Sequence, residues 1–139
     1  MSIDIIIADD HAILRSGIRK VLEFEDDFTV VAEATNGLEA IEKTLELEPD
    51  ILLLDINMPI KNGFETLTEL VNKKIDTKII ILTINNDENY VLEMLKNGAS
   101  GYLLKDIEPS MLIKAIRKIH QGENYIYPEI ARQIFGDVD

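Results

Sequence analysis

The sequence predicts an α/β fold: a doubly wound parallel sheet of five strands in the order 2-1-3-4-5, with five helices. Three observations carry this. Short apolar, β-branched runs alternate along the chain with longer segments of helical periodicity. Several of the runs are apolar without interruption, as in Ile51-Leu52-Leu53-Leu54, the mark of a strand buried on both faces. The chain has 139 residues, about one domain's worth, which leaves room for right-handed crossovers between parallel neighbours.

The elements follow in order. Ile3 to Ala8 is apolar and β-branched and reads as the first strand. From His11 to Glu25, Leu14, Ile18, Val21 and Leu22 fall on one side of a helix. Phe28 to Ala34 reads as the second strand, and Gly37 to Leu47 as a helix with Leu38, Ile41 and Leu45 on its apolar side. Pro49 and Asp50 punctuate before the third strand, Ile51 to Leu54. Pro59 and Gly63 mark a loop, and Phe64 to Asn72 is the third helix. Lys78 to Leu82 is the fourth strand, and Asp87 to Asn97 the fourth helix, closed by Gly98. Tyr102 to Leu104 is a short fifth strand. Pro109 to His120 is the fifth helix, with proline suited to its first turn.

Composition narrows the chemistry. There are no cysteines, which excludes disulfides, thiolate nucleophiles and cysteine-ligated metals. With only two histidines, His11 and His120, a multi-histidine metal site is not expected. Net charge is −12, the wrong sign for a chain that holds DNA or an anionic membrane by itself. Residues 1–60 carry 14 acids against 4 bases, while residues 61–139 carry 12 against 10. Either the N-terminal excess is a solvated acidic face, or some of these carboxylates surround a cation. No apolar run approaches the ~18 residues of a membrane helix, and the N-terminus lacks the pattern of a secretion signal. The expectation is an intracellular protein.

The polar residues at the strand ends are the informative ones. Asp9 and Asp10 follow the first strand, Asp55 the third, Thr83 the fourth and Lys105 the fifth. In a doubly wound sheet, ligands bind outside the carboxyl ends of the strands, where the strand order reverses. Each residue has an ordinary reading: helix N-caps for Asp9 and Asp10, a turn for Asp55, strand filler for Thr83, a surface lysine for Lys105. Together at the same sheet edge, these readings fail. Three converging carboxylates repel unless protons or a cation neutralise them. An oxygen-only donor set suits a hard cation, and Mg²⁺ uses one or two carboxylates, waters and phosphate oxygens. Such a site fits phosphoryl transfer to a carboxylate, with Asp55 as acceptor, Lys105 neutralising phosphoryl oxygens and Thr83 donating to one. No glycine-rich phosphate loop is present.

These residues resemble the CheY-like receiver domain of two-component response regulators, and the NarL/FixJ group with a LuxR-type helix-turn-helix output in particular. The resemblance rests on Asp9-Asp10-His11, on Asp55-Ile56-Asn57-Met58-Pro59 with Gly63, on Thr83, and on Gly98 to Asp106. It implies a flavodoxin-like fold over residues 1–121. It implies a phosphorylation-controlled switch in which Asp55 takes a phosphoryl group from a sensor histidine kinase in the cytoplasm. Asp10 would bind Mg²⁺ directly, Asp9 mainly through water, and the Asn57 backbone carbonyl would be a further ligand alongside Asp55. Thr83 and Tyr102 would form the switch pair, read out on the fourth helix, fifth strand and fifth helix. The domain would not be a conventional enzyme, apart from slow autodephosphorylation.

Two departures from common receivers stand out. Asp106 rather than proline follows Lys105, which argues against a cis peptide there. Ile84 follows Thr83 where smaller residues are common, a bulk expected to affect access to the phosphoryl group. Residues 122–139, with Tyr127-Pro128-Glu129 and then Ile130, Ile134 and Phe135, resemble the start of a linker helix. It would lead to a DNA-binding output domain of about sixty residues, so the chain is either a piece of a longer regulator, the favoured reading, or a naturally stand-alone receiver. DNA would be met only through that output. A homodimer through the fourth and fifth helices, or the first and fifth, is compatible with the resemblance.

Two other classes remain open on the residues. An aspartate-nucleophile phosphatase shares the carboxylate and Mg²⁺, but would carry a second aspartate where Asn57 stands. A phosphorylation-independent interaction module would have lost some of the acidic or lysine positions, and all are present.

Overall fold

The computed structural model describes residues 2–84, 88–126 and 131–132, with residues 88–90 in backbone only. The parallel ladder comprises β1 (Ile3–Ala8), β2 (Phe28–Ala34), β3 (Ile51–Asp55), β4 (Lys78–Thr83) and β5 (Gly101–Leu104). Between and after them come α1 (Ala12–Glu23), α2 (Gly37–Leu47), α3 (Gly63–Asn72), α4 (Glu88–Lys96) and α5 (Pro109–His120). The strand order 2-1-3-4-5 is the one the sequence predicts, and a sixth strand, β6 (Tyr125–Ile126), extends it beyond β5. All strand pairs are parallel.

Alternation along the strands sorts the core into two layers. Ile6, Leu52, Leu54, Ile79 and Ile81 face one layer with Ile41 of α2, Leu67 and Leu70 of α3, and Val91 and Met94 of α4. Ile5, Ile7, Ile51, Leu53, Ile80 and Leu82 face the other with Ile18 and Leu22 of α1 and Leu112, Ala115 and Ile116 of α5. Every residue of β3 is buried, as a strand covered on both faces requires.

The strands reach one residue further than the apolar pattern indicates. Asp55 pairs with Leu82 in the β3–β4 ladder and Thr83 with Leu104 in the β4–β5 ladder. Two of the singled-out polar residues are thus the last residues of strands, held by the ladder itself.

Tyr125 and Ile126 fall in the stretch that the sequence reads as the start of a linker helix, and they are a strand instead. Tyr125 N–H donates to the Ser100 carbonyl at 3.1 Å, and Ile126 is paired with Tyr102. The outer edge of β5 offers unpaired backbone groups, and the chain returning from α5 through the positive-φ Gly122 satisfies some of them. The sheet therefore runs past residue 121, the expected end of the receiver unit. Residues 127–130 and 133–139 of the expected linker, with Tyr127, Ile134 and Phe135, lie outside the described residues, as does Asn85.

Helices α2 and α3 start on asparagine caps. Asn36 accepts from Glu39 N–H at 2.9 Å, and Asn62 and Glu65 form a reciprocal capping box. Gly63, first residue of α3, donates its N–H to the Ile56 carbonyl at 2.7 Å. A Cβ there would lie 2.5 Å from the Asp55 carbonyl oxygen and 2.6 Å from the Ile56 Cα. The absence of a side chain lets α3 begin against the exit of β3, and so fixes the loop that follows Asp55. Gly63→Ala is expected to lower stability by about 1–3 kcal/mol, the range for overpacking, measured by urea unfolding.

Candidate functional site

Parallel topology places the exits of β1, β3, β4 and β5 on one edge. The side chains that the sequence singles out meet there. Asp9, immediately after β1, is buried, and its backbone N–H donates to the Ala34 carbonyl of β2 at 3.0 Å. Its Oδ1 accepts the His11 backbone N–H at 2.7 Å. Asp55 ends β3 at 2% exposure, and its Oδ1 accepts the Asn57 N–H at 3.3 Å. Lys105, just past β5, anchors its own N–H on the Thr83 carbonyl at 2.8 Å. Its largely buried ammonium lies 3.1 Å from Asp9 Oδ2 and 3.1 Å from Asp55 Oδ2.

Neither of those two buried carboxylate oxygens has a directional hydrogen-bond partner among the described residues. The Lys105 ammonium is the counter-charge that faces them both. Asp10 is more open to solvent, as suits a group that exchanges water for a ligand. One oxygen from each of Asp9, Asp10 and Asp55, with a ring nitrogen of His11, lies within 4.8 Å of the others. Three carboxylates against one ammonium leave two uncompensated negative charges, the charge one divalent cation brings. The three carboxylates and the residual charge fit a hard cation such as Mg²⁺, with the His11 nitrogen at the exposed rim of the cluster.

Asp55 is pushed above the ordinary carboxylate range, first by burial and next by the Asp9 charge, with Lys105 opposing both. A buried carboxyl whose ionisation is opposed and then supported by one placed lysine is a frequent feature of reactive sites.

Thr83 and Tyr102 are both fully buried. Tyr102 pairs with Ile81 and Thr83 with Leu104, so the two side chains lie on the same face of neighbouring strands. The Tyr102 ring packs in the layer with Val91 and Met94 of α4. Asn57 is exposed above Asp55.

The ordinary readings divide. Asp55 does accept a turn hydrogen bond from Asn57. Neither Asp9 nor Asp10 caps α1: the cap residue is His11, without a side-chain cap bond. The His11 ring leans instead on the acids, with Nδ1 3.2 Å from Asp9 Oδ1 and 3.2 Å from Asp10 Oδ1. The peptide after Lys105 is trans. Ile84 stands 78% exposed just past β4, and Ile13 in the first turn of α1 and Ile60 in the loop after β3 are exposed as well. Ile60 holds φ at +70°, unusual for a β-branched residue.

One contact was not legible from composition or spacing. Arg15, in the first turn of α1, donates from Nη1 to the Asp9 backbone carbonyl at 2.7 Å. The signal available in the sequence was an arginine four residues after His11, on the helix that leaves the acidic pair.

The chain matches the family described as response regulator receiver domain over residues 5–117. It is 42% identical over 132 residues to the transcriptional regulatory protein DegU of Brevibacillus brevis, covering 95% of this chain and 56% of that protein. It is 45% identical over 119 residues to the nitrate/nitrite response regulator protein NarL of Escherichia coli K12, covering 86% of this chain and 55% of NarL. The chain thus spans little more than half the length of these curated relatives. Among solved structures it superposes on a LuxR-family two-component response regulator from Aurantimonas sp. SI85-9A1 with TM-score 0.92 and 32% identity, over 97% of this chain and 96% of that one. The isolated receiver domain of RcsB from Salmonella enterica serovar Typhimurium, in the presence of phosphomimetic BeF3⁻, gives 0.88 with 28% identity, over 96% and 99% of the two chains.

Because the Asp55 pKa is raised, the folded state holds that proton more tightly than the unfolded chain. Ionising Asp55 therefore erodes stability as pH rises above the unfolded value of about 4. Asp55→Asn removes this penalty. Its urea midpoint is expected to exceed the parent's at pH 7, with the gain shrinking as pH falls toward about 4 and absent below it.

Proposed function

The chain belongs to the response regulator receiver family, as a receiver domain of the NarL/LuxR type, and from that premise we propose that Asp55 is its phosphoacceptor. The observation that carries this reading is the buried Asp55 carboxylate at the end of β3, faced across 3.1 Å by the Lys105 ammonium. The donor is a sensor histidine kinase in the cytoplasm. An Asp55 oxygen attacks the phosphorus of the donor's phosphohistidine, the P–N bond breaks, and the imidazole leaves with its electron pair. The product is an acyl phosphate on Asp55. Lys105 supports the reading twice: its charge keeps Asp55 ionised as a nucleophile, and it stands ready to pair with the new phosphoryl oxygens.

Asp10 and Asp9, with Asp55 and the Asn57 carbonyl, are the proposed Mg²⁺ ligands. When bound, Mg²⁺ supplies positive charge to the transferring phosphoryl group. The convergence of the Asp9, Asp10 and Asp55 carboxylates within 4.8 Å, against one ammonium, supports this assignment. Metal binding to the folded state alone adds about 1.4 kcal/mol of stability at ten times the dissociation constant.

Once Asp55 carries phosphate, Thr83 donates its hydroxyl to a phosphoryl oxygen and Tyr102 adjusts beside it. Both side chains are buried on one face under α4, which supports a readout on α4, β5 and α5. That surface, or α1 with α5, serves dimerisation, and a DNA-binding output domain outside this chain receives the signal. The domain releases its own phosphate slowly and is otherwise not an enzyme.

Incubation with Mg²⁺ and acetyl phosphate is expected to add one phosphoryl group by intact mass, and none to Asp55→Asn. Uptake by Asp55→Asn at another residue would overturn the assignment. Lys105→Ala is expected to take up the group more slowly, since Asp55 loses the charge that favours its ionisation, and to lose the amide shift changes that follow uptake in the parent. Shift changes matching the parent's would remove Lys105 from the switch.

A further inference from the structure

We propose that Arg15 is a positioning residue for the Mg²⁺ site: by holding the Asp9 carbonyl, it sets the peptide from which Asp10 projects. The inference rests on the phosphoacceptor reading above and adds a residue to it.

Asp9 is the pivot of the site, because its carboxylate faces Lys105 and Asp55 while the next residue offers the more exposed carboxylate. Its backbone is clamped from both sides. The Asp9 N–H is fixed by the Ala34 carbonyl at 3.0 Å, and its C=O by Arg15 Nη1 at 2.7 Å. The carbonyl of Asp9 and the N–H of Asp10 belong to one planar peptide unit. Orienting the carbonyl therefore orients the Asp10 amide and the origin of its side chain.

Arg15 is itself built in. Its side chain is 16% exposed, and its Nε donates to Glu33 Oε1 of β2 at 2.6 Å. The other Glu33 oxygen accepts from Arg19 Nη1 at 2.5 Å. The two arginines hold the Glu33 carboxyl below the usual range against the opposing effect of burial. A planar guanidinium can serve Glu33 through Nε and the Asp9 carbonyl through Nη1 at once; a lysine ammonium on a flexible stem cannot reproduce that fork. Arg19 shares the Glu33 anchor, and no contact joins it to Asp9 among the described hydrogen bonds. It therefore separates the positioning role from the ion pair.

Groups that orient metal ligands typically contribute 10–100-fold in metal affinity. Arg15→Ala is expected to weaken Mg²⁺ binding by about tenfold, measured by calorimetric titration with MgCl2. Without metal, the Asp10 amide nitrogen resonance should shift in the same variant, reporting the lost hydrogen bond on its peptide. Arg19→Ala should leave the Mg²⁺ affinity at the parent value, even if it lowers the melting temperature. Arg15→Lys should fall between parent and Arg15→Ala, and it decides the matter if Arg15→Ala does not fold. Parent-like affinity in Arg15→Lys together with a folded, parent-like Arg15→Ala overturns the inference, as does an equal loss in Arg19→Ala. If Arg15→Ala does not fold, parent-like affinity in Arg15→Lys alone overturns it. A parent that binds no Mg²⁺ overturns the phosphoacceptor reading and this inference with it. Binding by the parent with failure of the Arg15 variants to differ overturns this inference alone.

Discussion

A single ammonium holds the site edge together. Lys105 brings β5 into contact with the ends of β1 and β3 through two carboxylates, each 3.1 Å away. Asp9 and Asp55 are both about 2% exposed. Two like charges ~4 Å apart repel by about 4 kcal/mol at an effective dielectric near 20. Remove the ammonium and that repulsion has no internal counterweight. Buried charge clusters are seldom the most stable filling for a space; well-packed apolar side chains often do as well or better. The cluster is intelligible as a site whose energy changes when another charged group arrives, which is what a switch requires.

The rest of the sheet can hold this arrangement because it is made so uniformly. Ile5 to Ile7, Ile51 to Leu54 and Ile79 to Leu82 alternate between two layers of helices with almost no polar interruption. A strand buried on both faces admits a polar side chain only at its ends, where the helix layers part. That constraint places Asp55, Thr83 and Lys105 at the same height without any of them being near another in sequence.

The same constraint explains what was legible. Strand order, the alternation of elements and the carboxyl-end cluster could be read because double-faced burial prints long apolar runs, and connectivity then dictates the edge. Asp9, Asp55, Lys105 and Thr83 are where that reading puts them. The last residue of β3 and of β4 was less legible, since ladder hydrogen bonds continue under a polar side chain. β6 was not legible: Tyr125–Ile126 is two residues long, too short for any periodicity, and it is fixed by the free edge of β5. Arg15 and Glu33 were hidden for another reason. Charged residues on a helix start and a half-exposed strand read as solvated surface, and only the packing of α1 across β2 turns them into a chain of contacts ending on Asp9.

Local rules give way where the site needs them to. Helices α2 and α3 receive an asparagine cap with glutamate at the third position. Helix α1 has no side-chain cap and no acid in its first turn, although two aspartates immediately precede His11. A capping aspartate contributes about 1 kcal/mol, so a chain selected for helix stability alone would turn one of them inward to α1. Instead Asp9 faces Lys105, and both acids lie 3.2 Å from the His11 ring. The N-terminal end of α1 is thus left weaker than its neighbours so that two carboxylates can face the sheet edge. Arg15, rooted in that same first turn, restores by a side chain from inside the helix some of the order that the missing cap would have given to the loop before it.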